Sequence, residues 1–236
     1  MKQKLMSVSL TCGLALASML TLAGCEQTED DKIASAQACL DSATNETVAS
    51  CEALIEGVSG AAAAAIRCSA NFIYQSVTAD RMSAAFLEMT QNTSNNETLG
   101  MMSYLTFTVG SSSNDIVNKA KVAVTNCTES GYKSMIMLAN SAKAATVLLI
   151  GTGVAYTPGT PPTPSQIQAA LASFSDNGNA TDAELGESAV AISDIYCGST
   201  SATKDARVCS EITSAVAAGT SYSSIGAQLR ALLASS

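Results

Sequence analysis

Proline is confined to one segment of this 236-residue chain. All four prolines, Pro158, Pro161, Pro162 and Pro164, fall within residues 151–165. Proline disrupts helix interiors and alanine favours them, so the proline-free, alanine-rich sequence on both sides of this segment favours helices. The alternation of apolar and β-branched residues that is typical of strands is scarce. The sequence therefore predicts an all-α fold.

Apolar side chains recur at the three- and four-residue spacing that places them on one helix face. The clearest series are Val48, Cys51, Leu54, Ile55 and Val58; Leu185, Ala189, Ile192 and Tyr196; Val208, Ile212, Ala215 and Val216; and Ile225, Leu229, Leu232 and Leu233. The predicted helices are 31–42, 45–57, 60–77, 79–91, 96–109, 114–129, 132–150, 165–175, 182–197, 204–218 and 222–234. Short turns between them indicate an array of antiparallel helical hairpins.

The proline segment, 151–165, is predicted as a linker loop between an N-terminal helical region, 33–150, and a C-terminal helical region, 166–236. It is either a flexible bridge or, through Pro158–Gly159–Thr160–Pro161, a polyproline recognition segment. The two helical regions either form one domain or have separate cores.

Local signals mark several helix ends. Gly131 and Gly151 stand where helices are expected to stop, and Thr181 with Glu184 forms a capping-box pattern that opens the helix at 182. The stretch from Met135 to Ile150 is apolar nearly all round but short for a membrane span, which predicts a central buried helix. Its apolar character also leaves open the carriage of an apolar ligand.

Residues 1–24 have the parts of an export signal: Lys2 and Lys4, then an apolar run, then small residues. The run closes with Leu22–Ala23–Gly24–Cys25, which resembles the lipobox of bacterial lipoproteins. The resemblance implies recognition of residues 22–24 by signal peptidase II and lipidation of Cys25 with diacylglycerol and an amide-linked acyl chain such as palmitate. The alternatives are an ordinary signal peptide and a membrane helix.

Two features after Cys25 bear on location. In lipoproteins of Gram-negative bacteria, a residue such as Glu26 rather than aspartate implies the outer membrane, facing the periplasm; the inner membrane and the cell surface remain alternatives. Residues 25–32 are predicted as the lipidated cysteine and an acidic tether, of which Glu26 to Lys32 reaches roughly 25 Å when extended.

Removal of residues 1–24 deletes two of the 12 basic residues and none of the 20 acidic ones, so the net charge changes from −8 to −10. A nucleic-acid binder needs a basic surface, so this charge argues against a nucleic-acid partner. It also argues against electrostatic adhesion to an anionic bilayer. The lipid anchor is therefore the expected contact with the membrane.

Eight cysteines are present, of which Cys12 lies in the export signal and Cys25 at the lipidation position. An even number of six in an oxidising compartment predicts three disulfides. Two pairs are separated by 12 positions around turn-like sequence, which predicts Cys39–Cys51 and Cys197–Cys209, and elimination leaves Cys68–Cys127. A metal site is the alternative, but the chain has no histidine and no Cys-x-x-Cys pair, so no metal is expected.

The absence of histidine excludes the Ser-His-Asp, Cys-His and HExxH designs, and no phosphate-binding glycine loop is present. Glu129–Ser130–Gly131–Tyr132 is similar to the Glu-Ser-x-aromatic start of lytic transglycosylases, which implies peptidoglycan cleavage with Glu129 as general acid. That family's downstream Gly-x-Gly-Leu-Met-Gln segment is absent. The favoured function is therefore a non-catalytic binding or scaffold module, without a cofactor, that engages an unidentified envelope protein.

Overall fold

The protein is described by a computed structural model that covers residues 27–91, 102–153, 163–171, 182–198 and 206–235. Its helices are α1 Glu29–Leu40, α2 Val48–Ala53, α3 Ala61–Tyr74, α4 Ala79–Gln91, α5 Ser113–Ser130, α6 Lys133–Thr152, α7 Pro164–Leu171, α8 Asp182–Ile192, α9 Ala206–Ala218 and α10 Tyr222–Ser235. A π-helical turn, Ser193–Cys197, follows α8 directly. No strand occurs in the described residues, so the predicted all-α class is confirmed.

The main core lies around α6. Its C-terminal part, from Ala139 to Gly151, is buried on every side, and α5 and α8 pack along it. The core also contains apolar side chains of α3, α9 and α10, so it draws residues from both sides of the proline segment. Helix α6 is thus the central buried helix that its composition predicts.

A second, smaller core joins α1, α2 and the outer face of α3. Ala36 and Leu40 of α1 pack there with Val48 and Ile55, and with Ile66 of α3. Helix α3 contributes Cys68 and Phe72 to the main core, so it links the two. Of the predicted apolar series in this region, Leu54 is an exception, because its side chain is exposed.

The six cysteines form the three predicted pairs. Cα atoms are 5.4 Å apart in Cys39–Cys51, 4.9 Å in Cys68–Cys127 and 5.4 Å in Cys197–Cys209, all within the range of disulfides. The first pair joins α1 to α2, the second α3 to α5, and the third the π-helical turn to α9. Each disulfide therefore links two different elements.

Helices α8 and α10 pack so closely that their backbones touch at two glycines. A Cβ atom added to Gly186 would lie 1.9 Å from the carbonyl oxygen of Tyr222, and one added to Gly226 would lie 1.7 Å from that of Asp182. At the same crossing, the Arg230 guanidinium donates two hydrogen bonds of 3.0 Å to the Asp182 carboxylate. The close approach thus requires residues without side chains at 186 and 226.

Several helix ends differ from the sequence prediction. Gly151 does not end α6, which continues to Thr152 and ends at Gly153 in the left-handed conformation, with φ of 66°. Gly131, by contrast, ends α5 as expected, with φ of 72°. Both ends of the linker predicted at 151–165 are helical, because α6 covers Gly151 and Thr152 and α7 begins at Pro164; residues 154–162 of that prediction lie outside the described part.

The helix predicted over 96–109 is the clearest correction. Residues 92–101 lie outside the described part, residues 102–105 are helical, and residues 106–109 are not. The predicted helix over 182–197 is also not uniform, because its last turn is π-helical and the Gly198 N–H bonds to the Ser193 carbonyl at 2.7 Å. The second predicted helix, 45–57, is shorter in the structure, where α2 covers Val48–Ala53. The eighth, 165–175, is helical from Pro164 to Leu171, and its residues 172–175 lie outside the described part.

Candidate functional site

The beginning of α1 is the described end of the domain closest in sequence to Cys25. Thr28 caps the helix: its hydroxyl accepts from the Asp31 N–H at 3.2 Å, and the Asp31 carboxylate accepts from the Thr28 N–H at 3.1 Å. The Thr28 hydroxyl also donates to the Asp31 carboxylate at 2.7 Å, and the hydrogen bonds that this carboxylate accepts from the hydroxyl and the N–H of Thr28 lower the pKa of Asp31. The residues that resemble a lipobox, Leu22 to Cys25, lie outside the described part of the chain.

This cap corrects the predicted tether. Glu29, Asp30 and Asp31 form the first helical turn, where acidic side chains interact favourably with the helix dipole. Only three residues, Glu26 to Thr28, therefore separate Cys25 from α1.

A charged cluster of four side chains connects α5, α6 and α8. Lys143 of α6 is almost completely buried, and its Nζ lies 2.8 Å from Glu184 of α8 and also contacts Glu187. Lys121 of α5 forms an ion pair with the same Glu184. A buried ammonium group needs such partners, because an unpaired charge in a protein interior is strongly unfavourable.

Two opposing effects set the pKa of Glu184. Burial raises it, but hydrogen bonds from Lys121 and Lys143, together with their positive charges, outweigh burial and hold the pKa below the ordinary glutamate value. The charges therefore neutralise one another, which is the arrangement expected of a structural cluster. The sequence does not reveal this cluster, because its paired residues are 41 to 63 positions apart in the chain (184 minus 143 and 184 minus 121).

A second polar network holds the non-helical segment 106–109. The Gln75 side chain is buried; its oxygen accepts from the N–H groups of Thr108 and Val109, both at 2.9 Å, and its amide donates to the Val109 carbonyl at 2.8 Å. The Phe107 N–H donates to the Thr146 hydroxyl at 2.9 Å. Long-range side chains thus replace the helical hydrogen bonds of this segment.

Arg81 completes this network from α4. Its guanidinium donates to the carbonyls of Gln75 and Ser76, at 3.3 and 3.2 Å, and to that of Thr106 at 3.3 Å. Burial lowers the pKa of this guanidinium. These contacts fix the end of α3 against the start of the non-helical segment 106–109, so Arg81 has a structural role that its sequence context does not reveal.

Glu129, the candidate general acid, lies in the last turn of α5. Its side chain is exposed, two residues before the Gly131 cap. Burial is the usual means of raising a glutamate pKa for general-acid chemistry. The neighbouring Ser130 hydroxyl donates to the Cys127 carbonyl at 2.6 Å, an interaction within the helix end. The local geometry is thus that of a solvated helix terminus.

One described helix, Lys133–Gly151, reaches the length and hydropathy of a membrane span, and 67% of it is buried inside the protein. A core helix of a soluble domain has the same properties. No set of three or more cysteine, aspartate or glutamate side chains in the described residues is arranged to hold a metal ion.

Comparisons with known proteins identify no relative of this chain. Neither protein-family models nor curated proteins nor solved structures include a match to this chain.

Proposed function

We propose that the mature protein is an envelope lipoprotein, anchored in the membrane through Cys25, whose helical domain is a non-catalytic binding or scaffold module. The observation that carries the proposal is the Leu22–Ala23–Gly24–Cys25 sequence directly after an apolar export signal. The acyl chains on Cys25 supply the anchor, because about two chains suffice for stable membrane attachment. Glu26 favours the outer membrane, facing the periplasm.

The capped start of α1 supports a position of the domain beside the headgroups. The three residues from Glu26 to Thr28 span roughly 10 Å when fully extended, compared with roughly 25 Å for a tether that ends at Lys32. A short link of this kind restricts how far the domain moves from the bilayer. We infer that the module acts on partners at the membrane surface.

The internal bonding favours a module with a fixed surface. Three disulfides connect six different elements, and the buried Lys143 is neutralised by Glu184 and Glu187 within the fold. Disulfides limit the conformations open to the chain. A preorganised surface of this kind lowers the entropic cost of binding an envelope protein.

Anchoring is tested with two cysteine variants. Cys25→Ala removes the proposed lipid attachment, whereas Cys12→Ala changes a cysteine of the export signal that the mature chain lacks. In cells fed an alkyne-labelled fatty acid, the parent and Cys12→Ala proteins are expected in the membrane fraction with label, and Cys25→Ala without label. Equal labelling of Cys25→Ala would refute the anchor.

Peptidoglycan cleavage through Glu129 is the enzymatic alternative, and Glu129→Gln tests it. A scaffold keeps its effect on the cell when this exposed carboxylate becomes an amide, and peptidoglycan release stays unchanged. Loss of release in Glu129→Gln, with a normal level of the protein, would establish the enzyme instead. Carriage of an apolar ligand near Met135–Ile150 would appear as lipid or cofactor that co-purifies with the protein.

The binding role is tested by cross-linking in intact cells, followed by purification from the membrane. A scaffold yields one recurrent envelope protein with the parent chain and less of it with Cys25→Ala, because the unanchored domain is diluted away from the membrane. The same recovery from both would contradict a role that depends on anchoring.

A further inference from the structure

The order of the disulfides along the chain is simple. Each cysteine is bonded to its neighbour in sequence: Cys39 to Cys51, Cys68 to Cys127, and Cys197 to Cys209. No cysteine of one pair lies between the members of another. Of the 15 pairings that six cysteines allow, this is the one in which every pair is consecutive.

We propose that this chain is a substrate of an envelope thiol–disulfide oxidase and reaches its native pairing without a disulfide isomerase. The proposal rests on the proposed export of the chain. An exported chain emerges with its N-terminus first. Suppose that Cys25 carries its lipid and that each pair closes before the next one emerges. When the second cysteine of a pair then emerges, the first cysteine of that pair is the one earlier thiol that is still unpaired.

The spacing of the cysteines supports this order. Cys127 comes 59 positions after its partner Cys68, and Cys197 comes 70 positions after Cys127 (197 minus 127), so Cys127 and Cys197 each emerge long after the preceding cysteine. The single crowded point is Cys68, which emerges 17 positions after Cys51 (68 minus 51). At that point the native pair Cys39–Cys51 is separated by 12 positions and the competing pair Cys51–Cys68 by 17. The native pair is favoured, because shorter loops close at a lower entropic cost.

Local structure also brings the first pair together before Cys68 is needed. In the turn between α1 and α2, the Thr44 N–H donates to the Thr47 hydroxyl and the Val48 N–H to the Thr44 carbonyl, both at 2.9 Å. These contacts lie between Cys39 and Cys51 and reverse the chain. The turn therefore favours Cys39–Cys51 over a bond from Cys51 to Cys68.

The oxidation balances as two thiol–disulfide exchanges. The thiolate of one cysteine attacks the disulfide of the oxidase, which forms a mixed disulfide and releases one oxidase thiolate. The thiolate of the partner cysteine then attacks the substrate sulfur of the mixed disulfide, forms the native bond and releases the second oxidase thiolate. Each pair loses two protons and two electrons, and the oxidase leaves as a dithiol.

Burial explains why early pairing is advantageous. Cys51, Cys68 and Cys127 have no exposed surface in the folded protein. Exchange requires access of a thiolate to the sulfur, so an isomerase cannot reach these atoms after folding. Errors would have to be corrected before the cores close, and consecutive pairing avoids most of them.

The full-length protein is expressed in three bacterial strains that export and lipidate it: a parent strain, a strain without its envelope dithiol oxidase and a strain without its disulfide isomerase. Free thiols are blocked with a maleimide reagent of high mass, and disulfides are identified by peptide mapping. We expect full oxidation in the parent and in the isomerase-deficient strain, and loss of the oxidised form without the oxidase.

Two variants provide a matched control. Cys51→Ser leaves Cys39 unpaired when Cys68 emerges, so we expect a Cys39–Cys68 bond and a several-fold loss of native Cys68–Cys127 in the isomerase-deficient strain relative to the parent strain. Adding Cys39→Ser restores consecutive order, and the two strains are expected to agree again. Because each variant is compared with itself in two strains, its intrinsic stability cancels.

Mispaired parent protein in the isomerase-deficient strain, or full oxidation without the oxidase, would overturn the proposal. A lipid label on Cys25 separates it from the proposed function. If the protein carries the lipid label but needs the isomerase for correct pairing, only this inference is contradicted. If it is correctly paired but carries no label, only the anchor is contradicted. If it is fully reduced and unlabelled in the parent strain, both are contradicted.

Discussion

Replacing Gly226 by alanine tests the close packing of α8 and α10. In an ordinary helix interior, a change from glycine to alanine stabilises by about 1 kcal/mol, because it lowers the entropy of the unfolded chain. Here the added Cβ would lie 1.7 Å from the carbonyl oxygen of Asp182, and backbone atoms of that residue surround it. The structure therefore predicts the opposite sign, a loss of stability.

The magnitude follows from the movement that the new methyl group requires. Real Cβ atoms essentially never approach other atoms within 3.0 Å, so the two helices must separate by about 1.3 Å at this point, 3.0 minus 1.7. A gap of that size removes a large part of the dispersion energy between side chains that α8 and α10 contribute to the main core, among which are Leu185 and Leu229. Overpacking typically costs about 1–3 kcal/mol and more where backbone atoms must move, so about 3–4 kcal/mol is expected here, and the net loss after the gain in helix propensity is about 2–3 kcal/mol.

Urea unfolding with intact disulfides, followed by far-ultraviolet circular dichroism, measures this free energy. A loss of about 2–3 kcal/mol lowers the melting temperature by about 5–10 °C in a domain of this size. Gly57→Ala is the matched control: a Cβ there meets no atom within 4 Å, but φ is 76°, so only a conformational cost of about 1 kcal/mol is expected. A Gly226→Ala protein as stable as the parent would refute the packing described for α8 and α10.

Three further changes affect the polar groups and disulfides inside the protein. Lys143→Met should lower the free energy of unfolding by about 2–3 kcal/mol, because Glu184 loses a buried partner. Because the pKa of Glu184 is lowered, its contribution to the free energy of unfolding is complete above the ordinary glutamate pKa and is lost as the pH falls through the lowered value. In urea titrations at several pH values, the free energy of unfolding should therefore fall less on acidification in Lys143→Met than in the parent. Gln75→Met should cost about 2–4 kcal/mol, since the buried Thr108 N–H and the half-buried Val109 N–H lose the oxygen that accepts from both; an unchanged urea midpoint would contradict the network. Replacing Cys68 and Cys127 by serine should cost about 4 kcal/mol against about 3 kcal/mol for either short-loop pair, and equal costs would argue against the chain-entropy explanation.

The sequence alone predicts most of the helices, the main buried faces and the cysteine pairs, because the first two depend on local periodicity and the third on the number and spacing of the cysteines. It does not predict that Gly151 lies inside α6, since glycine is compatible with both the helical backbone and the left-handed backbone of a helix end, and the tertiary surroundings decide between them. Nor does it predict the loss of helix over 106–109, where Gln75 and Thr146 bind the backbone from more than 30 positions away.

The candidate site divides in the same way. The resemblance to a lipobox rests on a contiguous pattern and is readable directly, and the exposed position of Glu129 follows from its place before the Gly131 cap. The ion pairs of Lys143 with Glu184 and Glu187 join residues that are 41 and 44 positions apart and depend on how α6 and α8 cross. Sequence periodicity places each lysine and glutamate on a helix but carries no information about which helices meet.

The central claim, that Cys25 is the lipidated first residue of the mature protein, is tested most directly by mass spectrometry of the N-terminal peptide from the membrane-extracted protein. We expect a peptide that begins at Cys25 and carries the added mass of a thioether-linked diacylglycerol and of an amide-linked acyl chain. A peptide that retains the Leu22–Ala23–Gly24 sequence, or one with an unmodified Cys25, would contradict the claim.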